Sequence, residues 1–140
     1  MAFYRRSELQ GVAQSKLDDA ILLLEHKRYS NAYYLAGYAV EVGLKACIAK
    51  QITADVIPDR RFISDTYVHE LRKLIGVAGL ATELKKQEGD DPQFAVNWAL
   101  VAQWDPEVRY SGVDSSSAQY LIEAVADDNS GVFRWIKALW

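Results

Sequence analysis

Asn31-Ala32-Tyr33-Tyr34-Leu35-Ala36-Gly37-Tyr38-Ala39-Val40-Glu41-Val42-Gly43-Leu44-Lys45-Ala46-Cys47-Ile48-Ala49-Lys50-Gln51 is the stretch on which the fold turns. Its apolar residues cover most of a helical cylinder rather than one stripe, and a helix apolar nearly all round belongs at the centre of a bundle. Ala36, Gly37, Ala39 and Gly43 are small enough to let a neighbouring element approach closely. Glu41 and Lys45 form an i,i+4 pair in the favourable order. Glu41 still needs an explanation in such surroundings, because an unpaired buried carboxylate is costly. Lys45 or an arginine would answer it, as would a functional cleft or a symmetric partner.

Upstream, the periodicity predicts a long amphipathic helix from about Tyr4 to His26, with Leu9, Val12, Ala13, Leu17, Ala20, Ile21 and Leu24 on one face. Arg28, Tyr29 and Ser30 interrupt it, and Ser30 reads as the N-cap of the central helix. Downstream, Ile52 to Thr66 loses its period around Pro58 and reads as a loop. A short helix is expected from about Val68 to Val77, with Leu71, Leu74, Ile75 and Ala78 inward and Gly79 as its C′ residue. A further turn of helix runs from about Leu80 to Gln87.

Asp91-Pro92 is a start signal, an N-cap followed by Pro at the first helical position. That helix reads to about Trp104 with Ala95, Trp98, Ala99 and Ala102 on one face. Pro106 stops it, and Glu107 to Gly112 reads as an exposed connection. The next helix begins near Asp114 or Ser115 and turns Ala118, Leu121, Ile122 and Val125 inward. Asp127 to Gly131 breaks it, and a closing turn presents Val132, Trp135, Ile136 and Leu139. With no strand-period segment, the expectation is all-α: one domain over residues 1–140, an antiparallel up-and-down bundle of five or six helices.

Half of the 140 residues are hydrophobic and a quarter charged, which suits a globular chain. A net charge of −3 argues against non-specific nucleic-acid binding, which shows as a basic surplus. The single Cys47 has no internal disulfide partner and sits in an apolar run, so a reducing, cytoplasmic setting is expected. No apolar h-region is read at the N-terminus, and the longest apolar run falls far short of the ~20 residues that span a bilayer.

The chemistry tests are mostly negative. Two histidines and one cysteine do not make a zinc set, and no Glu-x-x-His pair points to a di-metal site, so no metal and no cofactor are expected. The scattered glycines form no phosphate loop. His26, beside Lys27 and Arg28, reads as a cation at the negative end of a helix dipole. His69 reads as a cap or a bond to a neighbouring helix, with general acid–base work as the alternative. Arg109 is the sharper candidate: beside Tyr110 and Trp104, a guanidinium suits base stacking and phosphate contact. Its ordinary reading is an ion pair with Glu107 or another carboxylate, its stem packed on Trp104. Tyr33, Tyr34, Tyr38, Trp98 and Trp135 fall at helical spacing and read as core or dimer-interface residues.

The run Arg28 to Ala46, quoted in most part above, resembles the central helix of HEPN domains. His69-Glu70-Leu71 with Leu74, Trp104-Asp105-Pro106-Glu107-Val108-Arg109-Tyr110, and Gly131-Val132-Phe133-Arg134-Trp135-Ile136-Lys137 follow in the family's order. The resemblance implies a bundle of four or five helices that commonly pairs as a homodimer. It also implies a prokaryotic toxin–antitoxin or defence context, an adjacently encoded nucleotidyltransferase, and nucleotide or RNA binding. Many members are metal-independent ribonucleases with an arginine followed a few residues later by a histidine. Here no histidine follows Arg109, and Arg61 to His69 has too many intervening residues. The first expectation is therefore a non-catalytic domain that binds nucleotide, RNA or protein, with Arg109, Tyr110, Trp104, Glu107 and Glu41 as ligand-binding candidates. A dimeric scaffold for the nucleotidyltransferase follows it closely. The third is an endoribonuclease using Arg109 and a spatially supplied His69.

Overall fold

The computed structural model describes residues 4–140, so residues 1–3, where the N-terminal reading begins, lie outside it. Among the described residues there are eight α-helices, one 3₁₀ turn and no strand. The central stretch forms α2, Tyr29–Ala49, and twelve of its residues are buried, from Ala32 to Ile48. It touches α1 (Arg6–Glu25), α4 (Leu71–Val77), α7 (Ser115–Ala126), α8 (Val132–Lys137) and the 3₁₀ turn (Pro106–Tyr110). The remaining helices are α3 (Arg60–Asp65), α5 (Ala81–Asp90) and α6 (Pro92–Val101).

Close approach to α2 occurs where its glycines are. A methyl built on Gly37 would overlap the Trp104 indole, and one on Gly43 would meet the Ile136 side chain of α8 at 3.1 Å. The two long helices are joined by a Schellman turn. The Arg28 N–H donates to Leu23 O at 2.8 Å and the Lys27 N–H to Leu24 O at 3.0 Å, with Lys27 left-handed at φ 60°. Gly79, at φ +70°, closes α4 in the same way, through Leu80 N–H to Ile75 O at 2.9 Å. Asp91 caps α6 by accepting from the backbone N–H of Gln93 and Phe94, each at 3.1 Å. Asp114 caps α7 through Ser117 N–H at 2.7 Å.

Several sequence expectations need correction. Eight helices replace the five or six, chiefly because the expected loop before Thr66 contains α3. Six residues are too few to show a period, and the signal there is the cap: Asp59 accepts from Arg61 N–H at 2.8 Å. Ser30 lies inside α2 rather than capping it; Arg28 holds the N-cap position, and Ser30 Oγ accepts from Val113 N–H at 3.0 Å. α6 ends at Val101, and its inward residues are Phe94, Asn97, Trp98 and Val101, with Ala99 exposed. Val12 and Ile21 of α1 face outward, since only Ala13, Leu17 and Ala20 of that helix are fully covered. The connection after Pro106 winds into the 3₁₀ turn, started by Asp105 accepting from Glu107 N–H at 2.8 Å.

Candidate functional site

α2 carries one charged side chain into the core. Glu41 is 2 % exposed, yet both carboxylate oxygens are satisfied. Oε2 faces Lys45 Nζ at 3.2 Å, one turn along the same helix, and Oε1 accepts from His69 Nδ1 at 3.0 Å. Lys45 is the partner the helical spacing indicates. The His69 contact comes from the segment just before α4, twenty-eight positions away, and the sequence carries no signal for it. The imidazole is more than half exposed, so its far edge, with Nε2, is turned away from Glu41.

His69 opens onto a surface pocket of about 350 Å³, lined by Val68, His69, Glu70, Lys73, Trp104, Asp105, Pro106 and Glu107. Lys73 is drawn aside by Asp65 at 3.3 Å. Trp104 departs from its expected role. It is 3 % exposed, its ring seated on Gly37, so it walls the pocket instead of offering a face for stacking beside Arg109. Its indole N–H is buried and has no hydrogen-bond partner.

Arg109 stands at the end of the 3₁₀ turn with no carboxylate in ion-pairing distance among the described residues, so the pair with Glu107 does not form. Its guanidinium carbon lies 4.9 Å from the centroid of the exposed Tyr110 ring. Tyr110 first, and Tyr34 of α2 second, stabilise the charged guanidinium and raise its pKa further above the usual arginine value. Tyr34 stacks on Tyr38 at 6.0 Å between centroids and tilts against Trp104 at 6.1 Å. Burial, and next the charge of Glu41, raise the Tyr38 hydroxyl above the ordinary tyrosine value. Arg109, Tyr110, Tyr34, Tyr38 and Trp104 thus form one group of neighbouring side chains where the 3₁₀ turn meets α2, and Trp104 shares its pocket with His69. Tyr34 and Tyr38 are the members that the sequence reading assigns to the core or a dimer interface, and nothing in helical spacing marks Tyr34 as a neighbour of Arg109.

The other candidates lie elsewhere. His26 is the C-cap of α1, its Nδ1 3.0 Å from Leu22 O, as the helix-end reading expects. Arg60 and Arg61, whose segment could add positive charge to a binding surface, sit on α3 outside the pocket lining, with Arg61 4.0 Å from Asp65. Among the described residues no three His, Cys, Asp or Glu side chains converge as a metal set. No helix among them is long and apolar enough to cross a membrane.

Among the described residues the fold is an all-helical bundle around a nearly all-apolar helix, with an unpaired arginine on the turn packed against it. The chain belongs to the HEPN domain family: the family model matches residues 8–138. No curated protein matches the chain. No solved structure does either.

Proposed function

We propose that this HEPN domain is a non-catalytic module that binds the phosphate of a nucleotide or a single-stranded RNA through Arg109. The observation that carries the reading is the guanidinium itself. It is exposed, lies 4.9 Å over the Tyr110 ring, and is engaged by no carboxylate among the described residues. A planar fork in that state matches two phosphate oxygens, and the exposed Tyr110 ring beside it supplies a surface on which a base can stack. The overall charge of −3 makes the attraction local to this turn rather than a property of the whole surface.

One observation favours a second reading, a metal-independent endoribonuclease. A carboxylate bonded to Nδ1 is how many enzymes orient a histidine base, and Glu41 stands in that relation to His69. In that reading Arg109 would stabilise charge on the phosphorus while His69 Nε2 moves the proton. RNA incubated with wild type, Arg109→Ala and His69→Ala proteins in chelator separates the two. Binding without cleavage, lost in Arg109→Ala, is the expected result; cleavage by wild type that both substitutions abolish replaces the binding reading with the enzymatic one.

The family resemblance supports the remaining parts of the proposal. These are a homodimer, a cytoplasmic toxin–antitoxin or defence setting, and an adjacently encoded nucleotidyltransferase as partner. Sedimentation of the purified chain tests the first of these, with twice the mass of the 15.8 kDa chain expected.

A further inference from the structure

α1 and α8 both pack on α2 and α7, and the cleft between them holds a pocket of about 400 Å³. Small-ligand sites span about 300–1,000 Å³. No residue of the 3₁₀ turn lines this pocket, so it stands apart from the phosphate reading. Its floor is apolar. Leu17 and Phe133 are buried members of the core, and Ile21, one turn along α1 from Leu17 and 36 % exposed, continues their surface toward solvent.

The rim carries charges of both signs that the fold leaves unmatched. Arg134 and Lys137, three residues apart on α8, share one side of the cleft. Arg134 donates to the Asn129 carbonyl at 2.8 Å, and Lys137 Nζ reaches across to Gln14 Oε1 at 3.3 Å. Neither cation has a carboxylate in ion-pairing distance among the described residues. Two aspartates nevertheless line the same pocket. Asp127 closes the turn after α7, its Oδ2 accepting from the N–H groups of Asn129 and Ser130. Asp128 has no ion-pair partner among the described residues. Opposite charges thus border one apolar-floored cavity without reaching each other.

We propose that this cleft binds a free α-amino acid with a large apolar side chain. The ligand carboxylate pairs with Arg134 and Lys137, whose remaining N–H groups are free to donate. Its ammonium pairs with Asp128. Its side chain lies over Leu17, Ile21 and Phe133 and takes their remaining apolar surface out of water. Simpler ligands match less of the lining. An apolar molecule leaves the rim charges as they were, an anion meets the aspartates as well as the cations, and an amine meets the reverse. A zwitterion is attracted at both ends.

Probes built on one carbon skeleton test this without any substitution. L-Phenylalanine carries both charges, 3-phenylpropanoate lacks the ammonium, and phenylalaninamide lacks the carboxylate. Calorimetric titration of the full chain should give saturable binding of phenylalanine, one per chain. Each of the other two should bind about tenfold or more weakly, the usual cost of one lost charge-assisted contact. Asp128→Asn should bring phenylalanine and 3-phenylpropanoate to similar affinity. Arg134→Gln combined with Lys137→Gln should do the same for phenylalanine and phenylalaninamide, and Ile21→Ser should weaken all three. These four positions are exposed, and thermal melts establish that each variant is folded. Equal affinity of wild type for the three probes, or several molecules bound per chain, is apolar adsorption and overturns the proposal. So does an absence of phenylalanine binding into the millimolar range, or a preference that the rim substitutions leave unchanged.

Discussion

Glu41 Oε1 accepts a 3.0 Å hydrogen bond from His69 Nδ1, joining the middle of the central helix to the segment that leads into α4. The bond satisfies a core carboxylate and orients a surface imidazole in one contact. Lys45 offsets the charge from the other side at 3.2 Å, which is how an acid survives on a helix otherwise sheathed in apolar side chains. The pocket beside His69 inherits its shape from the same arrangement, because the Trp104 wall rests on Gly37, one turn of α2 before Glu41.

Removing that carboxylate should be felt as lost stability. Glu41→Ala leaves a core void and strands Lys45 and His69, and about 1–3 kcal/mol is expected from urea unfolding. His69→Ala should cost less, because the ring is largely exposed. The double variant should show a coupling energy of about 0.5 kcal/mol or more. Strict additivity of the two losses would mean the pair contributes nothing.

Gly37→Ala should be damaging for steric reasons alone. The added methyl would occupy the space of the Trp104 indole, and overpacking of this sort costs about 1–3 kcal/mol. Gly11→Ala is the matched control, since a methyl there meets nothing. It should raise stability slightly, by about 0.5–1 kcal/mol, through helix propensity. Equal melting temperatures for the two variants would contradict the seating of Trp104.

Burial pushes the Cys47 thiol from its ordinary 9.0 up to about 11. Native protein near neutral pH should therefore react with a thiol reagent only as fast as it unfolds. The linkage has a definite sign. The folded state holds the thiol proton more tightly, so this contribution is complete below pH 9 and is lost as pH rises from there through about 11. Cys47→Ala should flatten the alkaline fall in stability. Rapid labelling of the folded protein would contradict the burial.

The acid side is governed by helix caps. The Ser130 hydroxyl, then the Phe94 N–H, hold Asp91 below the ordinary 3.8; the Ser117 N–H and then its hydroxyl do the same for Asp114. Both carboxylates stabilise the fold above that value, and the contribution is lost as pH falls through the lower folded values. Thermal melts between about pH 5 and pH 2 should show wild type losing stability more steeply than Asp91→Ala or Asp114→Ala. Parallel profiles would remove the caps from the acid response.

Much of this architecture can be read before any coordinates. The nearly all-round apolar run of α2 marks it as the core, Asp91-Pro92 and Gly79 mark their helix ends, and the inward faces of α4 and α7 follow from spacing. Local physics decides each of those. What escaped is non-local. The Glu41–His69 bond depends on how residues 52–68 fold back over α2, and the burial of Trp104 depends on a glycine far upstream. Each partner stands out as unusual in sequence, but the pairing does not. The exposed connection that Pro106 signals does place Arg109 at the surface, and its separation from Glu107 is set by the winding of the 3₁₀ turn.

The most direct test is equilibrium titration of a short labelled single-stranded RNA into wild type and Arg109→Ala, at one fixed salt concentration. The account predicts that wild type binds, that Arg109→Ala weakens the affinity by about tenfold or more, and that the melting curve stays the same. Equal affinity of the two proteins, or no binding by wild type, would contradict it.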